Sequence, residues 1–89
     1  MASVKMTDVP QERAMWGELF KLREKYYYPE EGDVYWEDYT RELIELERKY
    51  PTRFTTYLTR ALREEAYEQS KDMGHKQINI DLIEKKGVI

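Results

Sequence analysis

Two proline-bearing joints, Pro29-Glu30-Glu31-Gly32 and Tyr50-Pro51-Thr52, cut this chain into three stretches whose apolar residues recur at helical spacing. That punctuation leaves little choice of fold. In the first stretch Val9, Met15, Trp16, Leu19, Phe20, Leu22, Tyr26 and Tyr27 form one arc. In the second Tyr35, Trp36, Tyr39, Leu43, Leu46 and Tyr50 do the same. In the third the stripe is Phe54, Tyr57, Leu58, Ala61, Leu62, Ala66 and Met73. Connections this short make successive helices antiparallel neighbours. The expectation is therefore an all-α protein, a three-helix antiparallel bundle over about 8–28, 33–50 and 52–73, with a loose arm at 1–7 and a short C-terminal element in 74–89.

The helix ends carry their own signals. Asp8 with Gln11 reads as a capping box, and Pro10 suits a first turn, where its missing N–H costs little. Asp33 and Thr52 read as N-caps of the second and third helices, and Gly74 as the glycine just beyond the last turn. Glu37 and Asp38 near the start of the second helix, and Arg48 and Lys49 at its end, match the helix dipole. The tail reads two ways. Ile78, Ile80 and Leu82 alternate as in a strand, while Asn79 could cap a two-turn helix ending at Lys85, Lys86 and Gly87. The chain holds no other strand to pair with, which favours the helix; a strand would need a partner's sheet edge. No internal repeat or low-complexity stretch is recognised.

Three charges sit where apolar stripes should be buried: Arg23, Glu47 and Glu65, one on each helix. Burying an unpaired charge costs several kcal/mol, so they should pair with one another or face a partner. Arg23 bridging Glu47 or Glu65 is the structural reading; the alternative is that they orient a partner or a second copy. The second helix region is also strongly acidic. From Glu30 to Glu47 eight carboxylates face one base, Arg41, a segment charge of −7. Asp38, Glu42 and Glu45 form its outer stripe, either a solvated surface or a dock for a basic protein. On the third helix Arg53, Arg60, Arg63 and Tyr67 suggest a local nucleic-acid contact, an aromatic ring among arginines. Against it, residues 51–73 carry no net charge, and the whole chain of 89 residues carries −3.

Several classes are disfavoured outright. There is no Cys, hence no disulfide, thiolate metal site or Cys nucleophile. The single His, His75, has no Glu-x-x-His partner motif, and no phosphate loop or serine-hydrolase elbow is present. Neither a cofactor nor a metal is expected, and catalysis is not. The opening residues lack the apolar run of a signal peptide, and no stretch approaches the roughly 20 apolar residues that span a bilayer. A cytoplasmic protein without a membrane role is the expectation.

The series Trp16…Leu19…Lys25-Tyr26-Tyr27, Asp33…Tyr35-Trp36-Glu37 and Lys49-Tyr50-Pro51…Phe54…Leu58…Ala61 resembles small helical proteins of unknown function encoded in phages and integrated elements of Gram-positive gut bacteria. The resemblance covers about residues 16–68. It implies a mobile-element accessory protein, and small acidic phage proteins of that kind, anti-CRISPR inhibitors among them, act by binding host machinery. It transfers no site residues. The leading expectation is a non-enzymatic module that binds a protein partner, or a second copy, through its acidic and aromatic helical surface. A small nucleic-acid-binding regulator is the alternative.

Overall fold

A computed structural model of the chain describes residues 3–75; the expected C-terminal helix or strand of 76–89 lies outside the described residues. Three helices follow one another: α1, Pro10–Lys25; α2, Asp33–Lys49; and α3, Arg53–Asp72. They form the expected all-α three-helix bundle, with contacts between all helix pairs. Among the described residues no helix is long and apolar enough to cross a membrane.

The ends show which local signals won. Asp8 does not cap α1. It closes a 3-10 turn over Met6–Asp8, with Asp8 N–H donating to Lys5 and Val9 N–H to Met6. That moves the cap position to Val9, whose side chain accepts nothing, and Pro10 opens the helix. α1 stops at Lys25 rather than Tyr28, because Tyr28 precedes Pro29 and Tyr26 turns into the core. Asp33 is the first residue of α2, not its cap. The cap position falls to Gly32 at φ +103°, a value only glycine adopts without strain, and Asp33 helps as an anion in the first turn. Thr52 caps α3 as expected, accepting from Thr55 N–H at 3.1 Å. At the far end Gly74, at φ +77°, donates to Lys71 and His75 donates to Ser70, both at 3.0 Å, a Schellman closure.

The core has two centres. Tyr26, Tyr35, Trp36, Tyr39, Leu43 and Ala66 form one, with the Tyr26 and Tyr39 rings stacked at 4.5 Å and Tyr35 edge-on to Tyr26 and Trp36. Met15, Leu19 and Leu46 form the other, flanked by Trp16, Tyr50, Leu58 and Leu62. α3 is turned from its expected orientation by about 80° (at 100° per residue). Its buried positions are Thr55, Thr59, Ala66 and Ser70, while Phe54, Tyr57 and Ala61 are exposed. The reason is volume. α2 presents Trp36, Tyr39 and Leu43, and close packing against such bulk suits the small Ala66 that shares their cluster, while Thr59 sits against Glu47. The buried threonines of α3 are hydrogen-bonded: the Thr59 hydroxyl donates to Glu47 of α2, with Thr56 O also within reach, and Thr55 pairs with the Thr52 hydroxyl.

Candidate functional site

The three stripe charges separate into two pairs. Arg23 meets Glu65 at 4.0 Å across the α1–α3 rim, with side chains 31% and 56% exposed, and its guanidinium lies 4.6 Å from the Tyr27 ring centroid. Glu47 is held from the other side: Arg63 approaches to 3.5 Å and Thr59 donates its hydroxyl, with the Glu47 and Arg63 side chains only 24% and 15% exposed. The turn of α3 explains this, because it swings Arg63 inward and Glu65 outward. The same turn packs Tyr67 against the tyrosine core, with Lys71 Nζ 5.2 Å from its ring. Of the arginine and tyrosine set suggested for nucleic acid, only Arg53 and Arg60 stand exposed. Tyr67 is therefore engaged with the core rather than free beside Arg60 for a nucleic-acid base.

The acidic stripe of α2 is largely neutralised from within. Asp38 accepts from Arg41 at 2.9 Å, and Glu42 takes Lys25 Nζ at 3.1 Å together with the Tyr26 hydroxyl. Glu45 lines a cleft of about 400 Å³ between α1 and α2, with Glu18, Lys21, Glu42 and Lys49 around it. Asp38 and Glu42 are thus half-buried with their own counter-ions, and Glu45 stands exposed beside them.

Glu42 leads to a feature that the sequence reading missed. Glu18-Leu19-Phe20-Lys21-Leu22-Arg23-Glu24-Lys25-Tyr26 and Glu42-Leu43-Ile44-Glu45-Leu46-Glu47-Arg48-Lys49-Tyr50 are identical at five of nine positions. The shared residues act reciprocally. Lys25 and Tyr26, ending α1, both hold Glu42 of α2; Lys49 and Tyr50, ending α2, both hold Glu18 of α1. The Lys–Glu distances match, 3.1 and 3.0 Å, and each lysine also lies over its neighbouring tyrosine ring. The antiparallel pair thus carries an approximate two-fold axis. The clamps differ in surroundings. Burial, then the bond to Glu42, pushes the Tyr26 hydroxyl far above its ordinary range. For Tyr50 the bond to Glu18 is the main upward influence, and the same bond holds the Glu18 carboxyl below its usual value.

The two-fold is broken by α3, which packs more closely on α2 than on α1. On the α2 face that carries Glu47, Thr40 and Ile44 are buried, Ile44 at 8% exposure. The corresponding residues of α1, on the face that carries Arg23, are half-buried Trp16 and Phe20, which is 63% exposed. Beside them α3 contributes Phe54 at 44% and Tyr57 at 55%. The Trp16 and Phe54 rings meet edge-on at 5.7 Å, and Phe20 lies 6.3 Å from Trp16. This continuous aromatic face across α1 and α3 is the candidate site. No protein-family model, curated protein or solved structure matches the chain.

The face is made of aromatic contact area. Among the described residues no three His, Asp or Glu side chains gather as metal ligands would. A second recess, about 500 Å³ between the start of α1 and the α2–α3 joint, has mainly apolar walls from Val9, Pro10, Met15, Tyr50 and Pro51. Reading Trp16, Phe20, Phe54 and Tyr57 as core had hidden this face. The signal that could have found it is the repeat, because Phe20 aligns with Ile44 and two helices cannot both lie fully under one third helix.

Proposed function

We propose that the chain is a non-enzymatic protein-interaction module whose α1–α3 aromatic face receives a helix of a protein partner, and that it works in the cytoplasm as a mobile-element accessory protein. The observation that carries the reading is the exposure of Phe20 and Tyr57 around the Trp16–Phe54 contact. Large aromatic residues held on rigid helices supply binding area at low entropic cost, and they are the usual anchors of helix-in-groove recognition. The mobile-element part rests on the resemblance of residues 16–68. The acidic stripe is not the docking surface in this reading, because Asp38 and Glu42 already have internal partners. A nucleic-acid role has less support, since Arg63 and Tyr67 are engaged within the bundle.

The test is photo-cross-linking in cells with benzoylphenylalanine placed at Phe20 or, separately, at Glu45. The expected result is a discrete protein adduct from position 20, lost when Tyr57→Glu is added, and none from position 45. Adducts from position 45 with none from position 20 would overturn the proposal.

A further inference from the structure

We infer that the helix which fits the open seat on α1 is α3 of a second copy of this chain, so that the module forms an antiparallel two-fold dimer. The inference rests on the α1–α3 face being the docking surface, and two independent features of the molecule select the occupant.

The first is direction. The reciprocal clamps relate α1 to α2 by an approximate two-fold axis, and that operation reverses chain direction. α3 occupies the seat on α2 that carries Glu47. The equivalent seat on α1, marked by Arg23, Trp16 and Phe20, therefore suits a helix running antiparallel to α3. In an isologous dimer a two-fold axis perpendicular to α3 supplies a helix of that direction, the partner's own α3.

The second is charge. Two exposed bases of α3, Arg53 and Arg60, lie in its first half; its exposed acids, Glu64, Glu65, Glu68 and Asp72, lie in its second half, where the exposed base Lys71 pairs with Glu68 and leaves the half acidic. Antiparallel apposition of two copies sets each basic half against an acidic half and sets the two helix dipoles antiparallel. Parallel apposition would set like charges together. The aromatic rings then meet the partner at the centre, where an apolar anchor contributes most.

Area sets the strength. The exposed parts of Phe20, Phe54 and Tyr57 amount to on the order of 300 Å² at 150–250 Å² per ring. A stable interface takes about 800 Å² from each partner. The remainder must come from the charged flanks.

The experiment is sedimentation velocity of the full chain over a concentration series, with three sets of variants. Wild type is expected to pass from monomer to dimer as concentration rises. Phe20→Glu should weaken the dimer by about a hundredfold. Because Phe20 is largely exposed, its thermal melt should match wild type; Tyr57→Glu serves as the second variant. Arg53→Glu with Arg60→Glu, and Glu64→Arg with Glu68→Arg, should each stay monomeric alone and form a heterodimer when mixed. A wild type monomeric throughout, or a mixture that fails to assemble, overturns the inference. The first of these would leave the broader reading to the cross-linking test, where an adduct of mass other than twice 10.9 kDa would identify a different occupant.

Discussion

The two Lys-Tyr clamps are built alike but placed differently, and removing one hydroxyl from each measures what placement is worth. Tyr26 is a buried residue whose hydroxyl donates to Glu42, inside a stack formed with Tyr39 and Tyr35. Tyr26→Phe keeps the ring and the stack and deletes only the donor. A hydrogen bond to a charged acceptor contributes about 1.5–3 kcal/mol. Glu42 keeps Lys25 and some access to water, so the expected loss is about 1–2 kcal/mol. For a chain of this size each kcal/mol moves Tm by about 4–8 °C, which gives a shift of roughly 5–15 °C. Tyr50→Phe deletes the equivalent donor to Glu18 at a half-exposed position and should shift Tm less. The clamps lie at opposite ends of the α1–α2 pair, so the double variant should show the sum of the two effects. The assay is thermal and urea unfolding followed by circular dichroism at neutral pH, with a Tyr26→Phe/Glu42→Gln cycle to isolate the pair term. A neutral Tyr26→Phe, or a larger effect from Tyr50→Phe, would refute the claim that burial makes the first clamp the stronger.

The ion pairs separate in the same way: Arg63→Ala strands a mostly covered Glu47 and should cost about 1–3 kcal/mol in urea unfolding, whereas Arg23→Ala, at an exposed 4.0 Å pair, should cost no more than about 1 kcal/mol. Alkali should unfold the protein through its tyrosine core. Burial raises Tyr39 from near 10 to about 12 and moves Tyr26 and Tyr35 upward as well, so their contribution is intact below pH 10 and is lost as pH climbs to 12, by up to about 1.4 kcal/mol per pH unit for each ring. Part of the tyrosinate absorbance should then appear only together with the loss of ellipticity; ionisation of all eight tyrosines near pH 10 with ellipticity intact would count against a buried cluster. Thr52→Ala and Gly74→Ala should each lower stability by about 1 kcal/mol in thermal melts, through loss of the Thr55 N–H acceptor and through a Cβ at φ +77°.

Two roles set within one turn of the chain were legible in the sequence. Thr52 and Gly74 were readable because their caps involve only the neighbouring residues and because the αL position excludes most side chains. Asp8 and Asp33 failed for reasons equally local: a 3-10 turn consumed one cap position, and Gly32 took the other. α3 failed for a non-local reason. Ranked by apolar area, Phe54 and Tyr57 outrank Thr55 and Thr59, so a stripe drawn on α3 alone points the aromatics inward. What decides the orientation is the bulk of Trp36, Tyr39 and Leu43 on another helix, and periodicity within α3 carries no information about that. The charges followed, since the rotation of α3 by about 80° moved Arg63 and Tyr67 into the bundle and left Glu65 at the rim.

The repeat shows how these errors are connected. Two helices with nearly the same face, Glu-Leu-x-x-Leu-x-x-Lys-Tyr, can clamp each other reciprocally because each shared residue has its counterpart on the antiparallel neighbour. The positions that differ are Phe20 against Ile44, Lys21 against Glu45, Arg23 against Glu47 and Glu24 against Arg48. Each charged difference is a reversal of sign. A third helix that satisfies Glu47 with Arg63 therefore cannot sit in the same way on Arg23, which needs a carboxylate instead. One helix cannot satisfy both copies of the face equally, so it settles on the copy that its small residues and its arginine fit. The other copy keeps its aromatic residue at the surface. The open face on α1 thus follows from the near-duplication itself, and a helix added there must bring apolar surface for Trp16 and Phe20, since Arg23 already has Glu65.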